Sequence, residues 1–438
     1  LLDVTIDRGR ISLAGVPALV EWADARLSEL DSLTTAVPGV HTIGTKSDVW
    51  DALRHLQAAF DAPDVTKSTF GFGFVTVLSY DAVAYMENLP ELIAERGADP
   101  DMVFRIYAAT IDIDLPADRG VLTVAASELW ERPDGARIVS LAAAAPHVAT
   151  EQDAAIEPVA AAKSGTITMT QAEYVERAKT ALDHIHAGDI YQVQLGHPIH
   201  VHAPRRDLDV YRRLRAINPS PYMAFLPLGE LAVISGSPEL HVRVDSDLLT
   251  MRPIAGTARK SADAAENAAS VTWLKQDAKE AAEHIMLVDL CRNDLGRVAV
   301  PGSVAVSNLM NVEEYSHVFH LVSTVTATLE PGMDVYDVIR ATFPAGTVTG
   351  APKISAMEII ESLEKSRRGI YAGVFGVIGF GGFTNLALSL RTIVATPDGY
   401  SARASAGIVV DSAPDSEWLE TLAKMGSTIR AITGGDAA

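Results

Sequence analysis

Four glutamates come in two equally spaced pairs, Glu280 with Glu283 and Glu417 with Glu420. A separation of three residues puts both carboxylates of a pair on one helix face. Two such faces brought together make an all-oxygen pocket suited to Mg²⁺, a hard cation that keeps several waters and shares a substrate's oxygens. The same spacing describes a solvated helix face in an acidic chain, so spacing alone leaves both readings open. The segment Phe343-Pro344-Ala345-Gly346-Thr347-Val348-Thr349-Gly350-Ala351-Pro352-Lys353 precedes an expected helix. Its N–H groups and hydroxyls suit an anion at a helix N-terminus, and an ordinary turn fits equally well. It lacks P-loop spacing. Arg391 is the one cation in Ala387–Thr392, either a bidentate carboxylate clamp or an edge-strand charge. His317 and His320 are acid/base candidates near neutral pH. His197, His200 and His202 have no carboxylate at metal-ligand spacing, which disfavours zinc.

Those residues need elements to hold them. Ala281–Leu290 reads as the helix carrying the first glutamate pair, and Val335–Thr342 and Ala351–Ser366 also read as helices. Thr170 stands three residues before Glu173, the spacing of a capping box, and opens a helix expected to run to Gly188. Ile190–Leu195, Tyr222–Leu226 and Leu231–Ser235 read as strands. Tyr371–Phe380 and Leu386–Ala395 read as a strand pair joined through Gly381, Gly382 and Asn385, with Arg391 in the second strand. Upstream, Ser47–Phe60 reads as an amphipathic helix and Leu122–Ala126 as a strand. Composition divides the chain into an N-terminal α/β region (1–145), an Ala/Pro-rich linker (146–165) and a region 166–438 that holds the candidate residues. Strands and helices mix without regular βαβ alternation, so the expected class is α+β with mostly antiparallel sheets.

The 438 residues are 48% hydrophobic and 21% charged, as befits a globular chain. Its 56 acidic against 36 basic residues leave a net charge of -20, which repels phosphate backbones and anionic lipid. Neither a nucleic acid nor a membrane is an expected partner. No apolar run approaches the roughly 20 residues of a membrane helix. The single cysteine, Cys291, excludes an internal disulfide and a multi-thiolate metal site, and fits a reducing, cytoplasmic setting.

Several segments occur in one order over residues 166–438. They are Gly188-Asp189-Ile190-Tyr191-Gln192-Val193, Asn218-Pro219-Ser220-Pro221-Tyr222-Met223, Ser237-Pro238-Glu239 and Arg252-Pro253-Ile254-Ala255-Gly256-Thr257. Lys279-Glu280-Ala281-Ala282-Glu283-His284, Arg292-Asn293-Asp294-Leu295-Gly296-Arg297, His317–His320, Phe343–Lys353, Arg368–Gly373, Arg391-Thr392, Ala406-Gly407-Ile408-Val409 and Glu417–Lys424 complete the series. Together they resemble the chorismate-utilising enzymes, and most nearly the large subunit of anthranilate synthase.

The resemblance implies antiparallel sheets flanked by helices around a central cleft that binds Mg²⁺ and chorismate. It places metal ligands on Glu283 and Glu420, with Glu280 and Glu417 supporting the metal's waters. Gly346, Thr347, Tyr371, Arg391, Ala406, Gly407 and Lys424 fall where the family holds substrate. His320 matches the histidine that assists at the ring hydroxyl and completes the elimination, and Glu239 lines the same pocket. Water-using relatives carry a lysine where this chain has Gln192, and an amide cannot act as a base, so ammonia is the expected nucleophile. Relatives that aminate carbon 4 carry a lysine at Ala255, so attack at carbon 2 is expected.

The expected reaction is amination of chorismate at carbon 2, then pyruvate elimination to anthranilate. The ammonia is expected from a separate glutamine amidotransferase subunit, and a homo-oligomer is compatible with the family. One alternative stops at 2-amino-2-deoxyisochorismate. Another is a weakly catalytic subunit that binds a glutaminase or senses tryptophan. The chain departs from the family's pattern at Ser405 (a glycine elsewhere), Ala258 (an arginine) and Ala423 (an asparagine). Before residue 166 the match is mainly Ser79-Tyr80-Asp81-Ala82-Val83 to Leu89-Pro90.

Overall fold

The computed structural model describes the chain except residues 61, 63–68, 95–96, 98, 145–165, 316–317 and 435–438. The expected linker and His317 therefore lie outside the described residues.

Local chemistry sets the helix ends. Thr170 accepts from the Glu173 N–H while the Glu173 side chain accepts from the Thr170 N–H, and the helix Gln171–Ala187 stops at Gly188 with φ +85°. Asp277 accepts from the N–H groups of Lys279 and Glu280 and so opens the helix Ala278–Gly296. The helix Pro414–Thr433 starts on a proline, whose missing N–H costs nothing at that position. The helix read from Ala351 begins at Lys353 and ends at Leu363.

The strands form two large antiparallel sheets, of thirteen and seven strands among the described residues. In the larger, Gly73–Leu78 pairs with Val374–Gly379, so strands from both ends of the chain share one sheet. In the smaller, Gln192–Val201 pairs with Gly399–Ile408, with Gln194 opposite Gly407 and Gly196 opposite Ser405. The sheets are open and lie face to face. Val77, Phe375 and Ala387 of the larger sheet pack against Val233 and Val394 of the smaller. Their sequence neighbours point the other way, as alternation along a strand requires. Phe74, Leu78, Val374 and Leu386 pack under the helices Pro17–Leu27 and Asp48–Ala59. Ala232, Ile234, Ile393 and Ala395 pack on the side of Asp207–Ile217 and Pro414–Thr433. The architecture is α+β, with helices on the outer faces of two sheets.

One expected element is corrected. Leu386–Ala395 is not one strand: Thr384–Leu388 belongs to the larger sheet and Thr392–Thr396 to the smaller. Both halves are buried, so the apolar run continues through the crossing and hides it. Arg391 lies in the break, at φ +48°, rather than within a strand. The partner strand is also shorter than read, Val374–Gly379, because residues 368–372 form a turn before it.

Candidate active site

A cavity of about 570 Å³ opens between the sheets, closed on one side by the helices Ala278–Gly296 and Pro414–Thr433. Glu280, Glu283, Glu417, Glu420, Glu239, Gln192, His320, Thr347, Tyr371, Arg391, Gly407 and Lys424 all line it. Two expected residues do not. Gly346 lines a small adjoining cavity, where a Cβ would stand 2.5 Å from Leu290 Cδ1, so its smallness serves packing. Ala406 is fully buried between its lining neighbours Ser405 and Gly407.

The four glutamates gather at one end. Burial holds the Glu280 carboxyl above the usual carboxylate range, reinforced by Glu283, Asp277 and Glu420. Burial does the same to Glu417, reinforced by Glu420 and opposed by the Ser412 hydroxyl and by Lys424 and Lys279. Clustered carboxylates that raise one another's pKa are a site where a cation is stabilising. Among the described residues no three acidic, histidine or cysteine side chains by themselves enclose an ion. An oxygen-only donor set completed by water and substrate still fits Mg²⁺, which is commonly bound through one or two carboxylates. Lys424 Nζ sits 2.7 Å from Glu420 Oε1 and donates to the Ser405 carbonyl. Gln192 donates to Glu283 Oε1 at 3.0 Å.

Polar groups without carboxylates line the same cavity. The Arg391 guanidinium has no ion pair or hydrogen bond among the described residues, and its burial lowers its pKa from the ordinary value. Thr347 Oγ1 is buried without a hydrogen-bond partner. Tyr371 and Ser405 hydroxyls are 2.7 Å apart, and Ser405 Oγ donates to Gln194 Oε1 at 3.0 Å. With its proton given to that carbonyl, Ser405 accepts from Tyr371. A Cβ at Gly407 would meet the side-chain amide nitrogens of Gln192 and Gln194 at 2.8 and 2.9 Å, so both amides would have to shift to admit one.

The same cavity also holds an acid and a base. Burial pushes the Glu239 carboxyl up to about 8, opposed by the nearby Thr347 hydroxyl, the Ile254 N–H and the charge of Lys424. Thr347 is close enough to oppose the shift without making a well-directed hydrogen bond. His320 is held below its ordinary value, first by burial and also by Arg391, against the Gly256 carbonyl. Its Nδ1 lies 2.9 Å from that carbonyl, so Nδ1 carries the proton and Nε2 keeps its lone pair. Glu239 is thus a neutral acid and His320 a neutral base at pH 7.

The other candidates resolve differently. His197 is core, stacked on Trp418 at 4.5 Å with Nε2 on Thr421. Sequence reading missed Gln194 and Arg403, both lining residues. Each stands two residues from a recognised position, Gln192 or Ser405, on the same strand face, and that period was the available signal.

A single cleft between two helix-covered antiparallel sheets thus gathers four glutamates, the Arg391 guanidinium, the raised Glu239 carboxyl and the neutral His320 imidazole. The chain belongs to the chorismate binding enzyme family, whose pattern matches residues 22–430. It is 43% identical to 2-amino-4-deoxychorismate synthase of Streptomyces globisporus, over 99% of this chain and 86% of that protein. It is 41% identical to anthranilate synthase component 1 of Streptomyces coelicolor, over 90% and 79%. The crystal structure of anthranilate synthase component I from Streptococcus pneumoniae TIGR4 superposes with a TM-score of 0.76 at 29% identity, covering 98% of this chain and 90% of that one. The chain is a chorismate-utilising enzyme. Among the described residues no helix is long and apolar enough to cross a membrane.

Proposed function

We propose that the chain aminates chorismate at ring carbon 2 with ammonia, in a Mg²⁺-dependent reaction, and then eliminates pyruvate to give anthranilate. The observation that carries this reading is one cavity holding a carboxyl kept protonated, Glu239, with an imidazole kept neutral, His320. Environments that push two titrating groups apart assign acid and base. Ammonia bonds carbon 2 while the two ring double bonds each shift one place, and the carbon 4 hydroxyl, protonated by Glu239, leaves as water; the new ammonium then returns a proton to the Glu239 carboxylate. His320 Nε2 then takes the carbon 2 proton. That C–H pair becomes the aromatic double bond as the ether C–O bond breaks, and the departing enolate gains a proton to become pyruvate. Arg391, Thr347 and Tyr371 hold the substrate's carboxylates. Magnesium, held by Glu283 and Glu420 with Glu280 and Glu417 on its waters, would neutralise a substrate carboxylate facing the four glutamates. Gln192 offers no basic atom to activate water, and Ala255 no amine to capture carbon 4. Cys291 is buried with its thiol pKa raised, so it is no nucleophile toward glutamine. Ammonia is therefore supplied from outside these residues, from solution or by an amidotransferase.

A second reading stops at the aminated intermediate, and the Tyr371–Ser405–Gln194 chain favours it. The tyrosine proton is already committed, which loosens the hold on a substrate carboxylate. The name 2-amino-4-deoxychorismate describes that same intermediate, with nitrogen on carbon 2 and no hydroxyl on carbon 4. One reaction of chorismate, ammonium and Mg²⁺ tests both readings. Anthranilate fluorescence with equimolar pyruvate supports elimination. Chorismate consumption with neither product means that the reaction stops early, and no consumption, or full turnover after chelation, refutes the proposal.

A further inference from the structure

Tyr371 is presented by a turn, Arg368–Ala372, whose backbone is unusual at two points. Gly369 has φ +55° and Ala372, which carries a Cβ, has φ +64°. Such a conformation persists at a non-glycine residue only where its surroundings over-determine it. The Ala372 N–H donates to the Ser389 carbonyl at 3.2 Å, and around Gly369 and Ile370 the surroundings come from the N-terminal part of the chain. The Tyr80 N–H donates to the Gly369 carbonyl at 2.7 Å. The Gly369 N–H donates to Asp81 Oδ2 and the Ile370 N–H to Asp99 Oδ2, each at 3.1 Å. The Arg368 guanidinium lies 4.7 Å from the centre of the Tyr80 ring and 5.9 Å from that of Tyr371. A Cβ on Gly369 would stand 2.2 Å from Asp99 Oδ2, so this carboxylate fits only against bare backbone. Asp81 and Asp99 are both half-buried, which raises both carboxyls above their ordinary value, and Asp81 also lies 3.5 Å from Arg367. Both carboxylates accept from the turn that carries Tyr371 to the cleft.

We propose that Asp81 and Asp99, with the Tyr80 backbone and ring, are positioning residues for Tyr371. They lock the turn so that the tyrosine hydroxyl meets the substrate from a fixed direction. The N-terminal region is thereby part of the active site, although none of its described residues lines the main cavity. The inference rests on the reading of Tyr371 as a substrate-carboxylate ligand.

The test is steady-state kinetics of the full chain with chorismate, ammonium and Mg²⁺. Asp99→Ala should raise the KM for chorismate about tenfold with a smaller change in kcat, because ground-state holding is what is lost. Asp99→Asn, whose amide oxygen still accepts from Ile370, should return KM to within about threefold of wild type. In a Tyr371→Phe background Asp99→Ala should add less than about twofold, since the hydroxyl it positions is gone. An unchanged KM in Asp99→Ala, or an effect undiminished beside Tyr371→Phe, would overturn the proposal. Asp81→Ala, which frees Gly369, carries the same expectations if Asp99→Ala does not fold. Amide exchange at Gly369 and Ile370 reads the clamp without turnover: protection as slow as in the strands supports it, and fast exchange refutes it. Wild type that consumes no chorismate but keeps those amides protected would sink the functional reading and leave the clamp standing.

Discussion

At the scale of single residues, Glu239 is the most exacting test of the chemistry. Its acid form is needed, so kcat/KM should fall as pH rises through about 8. Stability follows the same group. The folded carboxyl titrates above its unfolded value, so the folded chain binds the extra proton between the usual carboxylate range and about 8, and stability declines as pH rises across that window. Glu239→Gln should flatten that decline in thermal melts at several pH values while cutting turnover at least ~100-fold. Ser405→Gly is the complementary change. It releases the Tyr371 hydroxyl, and the KM for chorismate should fall by about 3- to 10-fold as a charge-assisted hydrogen bond to the substrate is gained. If wild type stops at the aminated intermediate, the same variant should begin to release pyruvate. Unaltered KM and products would show that the serine is inert. At this scale much was legible: the glutamate spacing put each carboxylate pair on one helix face, and all four line the cavity. The protonation states of Glu239 and His320 were not, because they arise from burial by segments distant in sequence.

Among the elements, the helix Ala278–Gly296 shows how local chemistry aims a site. Asp277 closes the preceding helix Ala264–Gln276 and caps this one, so a single side chain fixes the corner from which Glu280 and Glu283 project. Asp277→Ala should cost about 1 kcal/mol of stability. It should also raise the Mg²⁺ concentration needed for half-maximal activity, whereas Asp277→Asn, which can still cap, should hold both near wild type. Equal Mg²⁺ dependence in the two variants would separate the cap from the site. Caps such as Thr170–Glu173 are visible in sequence because their partners are neighbours. The break at Ser389–Arg391 was not, since the hydrophobic pattern is the same whichever sheet buries a strand.

For the whole molecule, composition marks a change near residue 146, yet the larger sheet takes strands from both sides of it. The segment 166–438 made alone would leave Val374–Gly379 without Gly73–Leu78, an unpaired edge beside Phe375. We expect it to be insoluble, and co-production of residues 1–144 to restore soluble protein; a soluble, active 166–438 would contradict this. The same pairing has a consequence in time. Gly73–Leu78 emerges from the ribosome early, and at ~5–20 residues per second its partner about 300 residues later follows only after roughly 15–60 s. Throughout that interval the nascent chain carries an open strand edge that any other chain can match, so in the cell the folding of this enzyme is a race between its own synthesis and its neighbours.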